Sequence, residues 1–236
     1  MWWESSVAVE AVIFDWGGTL TPWHTIDLSE ESVALAAAAT EAGVDAAEVL
    51  RAAGDTLWGR SRDHHHSATI EAIFAEAGLG FDDAGLTAYR EFWEPHTFTH
   101  DDVRPLFEWL REEGLKVGVL SNTVWPRAWH EDIFVRDGIA HLIDGAVYTS
   151  EIPWTKPAPE AFRAAMEAVG VTDPAACIFV GDRLFDDIYG ARNAGMVAVH
   201  VPHSDIPAAQ LGHTAGEPDA VIQRLADLPD VIATWR

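Results

Sequence analysis

The sequence has one cysteine, two lysines and no long apolar run, and each shortage excludes something. A single thiol, Cys177, cannot close an intrachain disulfide, and one thiolate is too few for a cysteine-ligated metal cluster. It lies in the run Ala176-Cys177-Ile178-Phe179-Val180, so a core position is expected. No stretch of about 18 apolar residues is available to span a bilayer. The opening MWWESSVAVE lacks a basic region followed by an apolar segment, the pattern of a secretory signal. A soluble cytoplasmic protein with no membrane partner is the expectation. Positive charge is scarce as well. Lys116, Lys156 and thirteen arginines face 38 acidic residues, for a net charge of −23. Such a chain repels a phosphate backbone, so no nucleic-acid partner is expected. An anionic small molecule would need local positive charge to enter.

What is present points to an α/β protein. The 236 residues are 48% apolar, enough for one large domain or a core with a small second domain. Five β-rich runs stand out: Val9–Phe14, Lys116–Leu120, Gly145–Thr149, Cys177–Val180 and Met196–Val201. Helical patterns separate most of them. Val103–Glu113 stops at Gly114, Pro159–Val169 at Gly170, and Phe185–Ala194 at Gly195. This alternation predicts a doubly wound, mostly parallel sheet covered on both faces, with ligands at the carboxyl ends of its strands. Between Thr21 and His100 the alternation fails. Four helical segments are read there: one from near Ser29 to Gly43, one after Asp45, one carrying Ile70, Ile73, Phe74 and Ala77, and one carrying Leu86, Tyr89, Phe92 and Trp93. The division expected is an α/β core of residues 1–20 and 101–236 and a helical lid of residues 21–100.

The candidates for chemistry each follow a predicted strand. Asp15 is followed by Trp16 and by Gly17 and Gly18, which let the backbone turn tightly and approach a ligand. Ser121, Asn122 and Thr123 follow the second strand and offer groups that bond phosphate oxygens or cap a helix. Lys156 stands before Pro157-Ala158-Pro159, where prolines fix the chain. After the fourth strand come Gly181-Asp182-Arg183-Leu184-Phe185-Asp186-Asp187, whose carboxylates can hold a hard cation or favour a helix N-terminus. Taken singly, each has an ordinary reading as a turn, a cap or a surface charge. Their joint order does not.

In that order FDWGGTL, LSNT, KPAPEAF and VGDRLFDDIYGARNAGM resemble the four motifs of the haloacid dehalogenase-like hydrolases, and the helical insert resembles that superfamily's C1-type cap. The resemblance implies that Asp15 is the nucleophile and forms a covalent aspartyl intermediate. It implies that Ser121 binds the transferring phosphoryl group, with Gly17, Gly18, Asn122 and Lys156 also around the substrate. Lys156 would neutralise charge on that group and on the nucleophile. Asp15, Asp182, Asp187 and the Gly17 carbonyl would hold Mg²⁺. A small phosphorylated metabolite is the implied substrate. These are the parts that phosphoryl transfer requires, since it depends on positioning and charge stabilisation.

Gly17 departs from the pattern, because phosphatases of the superfamily carry an acid–base aspartate there. Without it the enzyme is slow, or its leaving group needs no proton, or another side chain donates one. The candidates for a donor are His24 and the cap residues His64, His65 and His66. Trp23, Trp58 and Trp93, in or near the cap, could stack on a substrate ring, although core packing is the ordinary role of tryptophan. Two sister chemistries also lack the aspartate. Phosphonoacetaldehyde hydrolases, whose first motif DWGGT also resembles, use a cap lysine, and residues 21–100 contain none. The 2-haloacid dehalogenases need no metal and do not keep the Gly-Asp ligands seen here. Dehalogenation is the alternative enzyme reading, and a catalytically weak regulatory or binding protein on the same fold is the other.

Overall fold

The computed structural model describes residues 8–22, 26–40, 45–202 and 215–235. Trp23, His24 and Gly43 lie outside the described residues. Five strands fall where the sequence predicts them: β1 (Ala11–Phe14), β2 (Lys116–Ser121), β3 (Gly145–Tyr148), β4 (Cys177–Gly181) and β5 (Val197–His200). A sixth, β6 (Ala220–Val221), is two residues long and too short to leave a pattern in the sequence. All pairings are parallel, in the order β3-β2-β1-β4-β5-β6.

Both faces of the sheet are buried, which is why its central strands read as unbroken apolar runs rather than alternating ones. In β1, Val12 and Phe14 face one cluster and Ala11 and Ile13 the other. The first cluster takes in α5 (Val103–Glu112), α6 (Arg127–Arg136) and α9 (Leu228–Ala233). The second takes in α7 (Pro159–Val169) and α8 (Gly190–Asn193). Cys177 is fully buried in β4, as expected. Helix α6 is not legible in advance, because only His130, Ile133 and Phe134 of its ten residues are buried.

The segment between β1 and α5 carries the four expected helices: α1 (Leu28–Ala36), α2 (Ala46–His64), α3 (Ile70–Ala77) and α4 (Leu86–Trp93). Their starts follow ordinary capping chemistry. The Asp27 carboxylate accepts from Ser29 N at 2.8 Å, Asp45 from Glu48 N at 3.3 Å, and the Thr69 hydroxyl from Ala72 N at 3.2 Å. Helix α1 ends at Ala36, short of the expected Gly43. The buried faces of these helices do not form a separate core. Leu35, Leu50, Ile70, Phe74 and Tyr89 join the same cluster as Val12, Phe14 and Phe107. The insert is therefore fused by packing to one face of the sheet.

Phe107 of α5 is fully buried and lies 5.2 Å from the ring of Phe14, the residue before Asp15. Truncation there removes a large apolar contact and leaves a cavity. Phe107→Ala is expected to cost about 3–5 kcal/mol. Urea unfolding checks it; a loss under about 1 kcal/mol would mean that this contact does not anchor β1.

Candidate active site

The site is built at the carboxyl ends of the central strands. Phe14 pairs with Val119 of β2 and Val180 of β4, so the chain past β1 emerges between Ser121 and Asp182. The Asp15 N–H donates to Val180 O at 2.9 Å and fixes the first aspartate to β4. Strand order reverses direction about β1, and open α/β sheets bind ligands in the crevice at that point. Asp15, Ser121, Lys156, Asp182 and Asp187 are all buried there, although they are far apart in the sequence.

Lys156 is the hub. Its Nζ donates to Asp187 Oδ1 at 2.7 Å and, in a shorter contact, to Asp15 Oδ1. Asn122 holds the lysine in place. Its Oδ1 accepts from Lys156 N at 2.8 Å and its Nδ2 donates to Lys156 O at 3.1 Å. Both polar atoms of the Asn122 side chain, which was expected among the substrate-binding groups, thus serve the lysine backbone. Asp187 Oδ2 accepts from Arg183 N at 2.9 Å. Thr19, in the first motif but not singled out by its sequence, has its hydroxyl 3.4 Å from both Asp15 Oδ2 and Asp182 Oδ1. A second unforeseen neighbour is His200, whose Nε2 lies 3.0 Å from the Asp182 carbonyl.

Asp15, Asp182 and Asp187 offer ligand oxygens that all lie within 4.8 Å of one another. Burial pushes the Asp15 carboxyl up to about 7; Asp187 and Asp182 push the same way and Lys156 opposes them. Burial also works against the charge on Lys156, but Asp15 and Asp187 outweigh it and hold the ammonium above its ordinary range. One ammonium thus faces three buried carboxylates. An all-oxygen donor set with surplus negative charge suits a hard divalent cation.

Of the neighbouring glycines, Gly18 takes the positive φ, 88°, and its N–H donates to Thr21 O at 2.9 Å. Gly17 does not have a positive φ, so its backbone would accept a side chain without that strain. The helix expected over Phe185–Ala194 is different in kind. It opens as a π-helix over Leu184–Tyr189, with Ile188 N donating to Arg183 O at 3.2 Å, and only then becomes the short α8. The wide turn buries Asp187 against Lys156, while Asp186 stays beside Arg183 at 4.0 Å. Helix α2 ends at His64, His65 is its C-cap and His66 follows. His64 and His66 are exposed, and His65 is partly buried. Of the cap tryptophans, Trp58 is exposed and Trp93 packs 5.4 Å from Trp125.

The model of the haloacid dehalogenase-like hydrolases matches residues 9–195, and the chain belongs to that family. Among curated proteins it is similar to a glyceraldehyde 3-phosphate phosphatase of Methanopyrus kandleri, 29% identical over 95% of this chain and 97% of the relative. It is also similar to a phosphonoacetaldehyde hydrolase of Bordetella avium, 29% identical over 96% and 91%. A crystal structure of a phosphatase from Thermococcus onnurineus superimposes with a TM-score of 0.65, at 26% identity over 95% of this chain and 98% of that one. A 2-haloacid dehalogenase from Pseudomonas syringae gives a TM-score of 0.62, at 25% identity over 97% and 100%.

The glycine of the fourth motif, Gly181, has a steric reason. A Cβ built there would lie 2.4 Å from the Asp187 carboxylate, closer than any real contact. Gly181→Ala is therefore expected to displace Asp187 from Lys156 and to reduce turnover at least about tenfold, with a stability loss of about 1–3 kcal/mol from overpacking. Kinetics on the refolded variant check it; unchanged turnover would mean that the position of Asp187 is not critical.

Proposed function

We propose that this chain is a Mg²⁺-dependent phosphatase that hydrolyses a small phosphorylated metabolite through an aspartyl-phosphate on Asp15. The observation that carries the reading is the Lys156 ammonium lodged between Asp15 and Asp187, with Asp182 in the same cluster. The Asp15 carboxylate attacks phosphorus and the ester oxygen leaves. Water then cleaves the aspartyl-phosphate and restores the carboxylate. Lys156 keeps its proton throughout and offsets charge on Asp15 and on the phosphoryl oxygens. Ser121, buried at the end of β2, binds the phosphoryl group. Asp15, Asp182, Asp187 and the Gly17 carbonyl would hold Mg²⁺, which supplies positive charge to the phosphoryl oxygens. The helices of residues 21–100 act as a cap over this edge. The phosphatase names of relatives that align along nearly the whole chain support the reaction class, and glyceraldehyde 3-phosphate indicates the size of substrate.

The phosphonoacetaldehyde hydrolase reading lacks its lysine. Lys116 opens β2 at the opposite end of the sheet and bonds Asp144, and Lys156 is enclosed by carboxylates. No other lysine exists in the chain to form a Schiff base.

Two measurements test the proposal. Asp15→Asn is expected to abolish phosphate release because an amide cannot attack, while the thermal midpoint stays within a few degrees because Asp187 still pairs Lys156 in a group with surplus carboxylates. Surviving wild-type turnover in that variant would remove Asp15 as nucleophile. In the wild type, EDTA is expected to abolish activity and Mg²⁺ to restore it, with a rise in thermal midpoint as the carboxylates gain a cation. Full activity in chelator with chloride release from 2-chloropropionate would instead establish a dehalogenase.

A further inference from the structure

The phosphatase reading leaves one chemical gap. Gly17 has no side chain to protonate the leaving oxygen, and no carboxylic acid replaces it in the first motif. Of His64, His65 and His66, His65 is the one that is partly buried and has its ring beside the fourth-motif loop. His65 caps the end of α2 in the left-handed conformation, at φ 57° and ψ 32°. It is the one non-glycine residue with positive φ among the described residues. Backbone strain of this kind persists where surrounding contacts enforce it, and it concentrates at functional positions.

Those contacts run to the loop that delivers Lys156. Thr155 N donates to His65 O at 2.9 Å, so His65 sits one residue away from the catalytic lysine across a hydrogen bond. The Ser61 and Thr155 hydroxyls are 3.1 Å apart, Ser67 N donates to Pro153 O at 3.2 Å, and the Ser67 hydroxyl bonds Ile152 O. On its other side the His65 ring lies 6.3 Å from that of Phe185, two residues before Asp187. His65 is thus held between the loops that carry the third and fourth motifs. Its Nδ1 is buried and has no hydrogen-bond partner among the described residues. A buried ring nitrogen requires a partner, and a substrate bound between these two loops would supply one.

We propose that His65 is the general acid and base that Gly17 cannot be, acting from the cap on the leaving-group side of the phosphoryl centre. As an Asp15 oxygen bonds to phosphorus, the bond to the ester oxygen breaks. That oxygen takes the imidazolium proton of His65 and departs as an alcohol. In the second step water attacks the aspartyl-phosphate, gives a proton to the neutral His65, and releases phosphate from Asp15. The imidazolium is regenerated and no proton is left over.

The assignment rests on the phosphatase reading, and the test separates the two. Hydrolysis of a series of alkyl and aryl phosphates is measured with Mg²⁺ for the wild type, His65→Asn and His65→Gly. Asparagine and glycine both accept the left-handed conformation, so the fold is retained and thermal midpoints verify it. The wild type is expected to cleave alkyl and aryl esters within about tenfold of each other. Both variants are expected to lose about 100-fold or more on alkyl phosphates but less than about tenfold on nitrophenyl phosphate, whose leaving group needs no proton. Added imidazole is expected to restore alkyl phosphate hydrolysis to His65→Gly. Equal losses across the series, or no loss, with no imidazole rescue, would overturn the role of His65 and leave the phosphatase standing. A wild-type protein that releases phosphate from no ester would overturn both.

Discussion

The structure depends on one buried ammonium. Lys156 stands between Asp15 and Asp187, and Asp182 completes the group. Buried charge is costly unless it is paired and hydrogen-bonded, and removing one member of such a group costs far more than the group contributes. Much of the surrounding architecture can be derived from that constraint. Asn122 fixes the lysine backbone from β2, Arg183 N–H satisfies the second oxygen of Asp187, and Thr19 bridges Asp15 and Asp182. The parallel sheet is what makes the arrangement possible. Residues far apart in sequence reach one edge because every strand points the same way.

The helical insert is tied to that edge in two ways. Aromatic packing forms the first tie: Trp16, directly after Asp15, lies 5.6 Å from Trp125, which in turn is 5.4 Å from Trp93 at the end of α4. Hydrogen bonds form the second, between residues 61–67 and the loop 152–155, with Ile70 N donating to Val124 O at 3.1 Å besides. The insert therefore bears on the two loops that follow β2 and β3.

Legibility in the sequence followed the range of the interaction concerned. Asp15, Ser121, Lys156 and Asp182, which the fold buries at one sheet edge, are legible as candidates because each lies in a contiguous motif after a predicted strand. The helices of the insert are legible through local chemistry: Asp27, Asp45 and Thr69 cap them through neighbours two or three residues away. What escaped depends on distant partners or on backbone detail. The π-turn over Leu184–Tyr189 stands where the apolar pattern predicts an ordinary helix, and its contact through Asp187 is with the distant Lys156. The clamp from Asn122 is invisible until β2 and the Lys156 loop meet. Thr19 stood inside a recognised motif, yet its place between two carboxylates needs β4 as well as β1. Strand β6 and helix α6 have too few buried residues to leave a period.

The charge of the molecule sharpens the functional problem. A net charge of −23 repels a phosphorylated substrate, though salt confines that field to about 8 Å at physiological ionic strength. Inside the crevice the problem is worse. With all three carboxylates ionised, they and one ammonium leave two formal negative charges at the place where a phosphoryl group must bind. Lys156 cannot offset this alone, because its single charge is already set against Asp15 and Asp187. A divalent cation among the same oxygens would bring the formal sum to zero. The site would then receive an anion and keep its nucleophile ionised. On the phosphatase reading a metal held there would thus serve substrate binding as well as the chemistry.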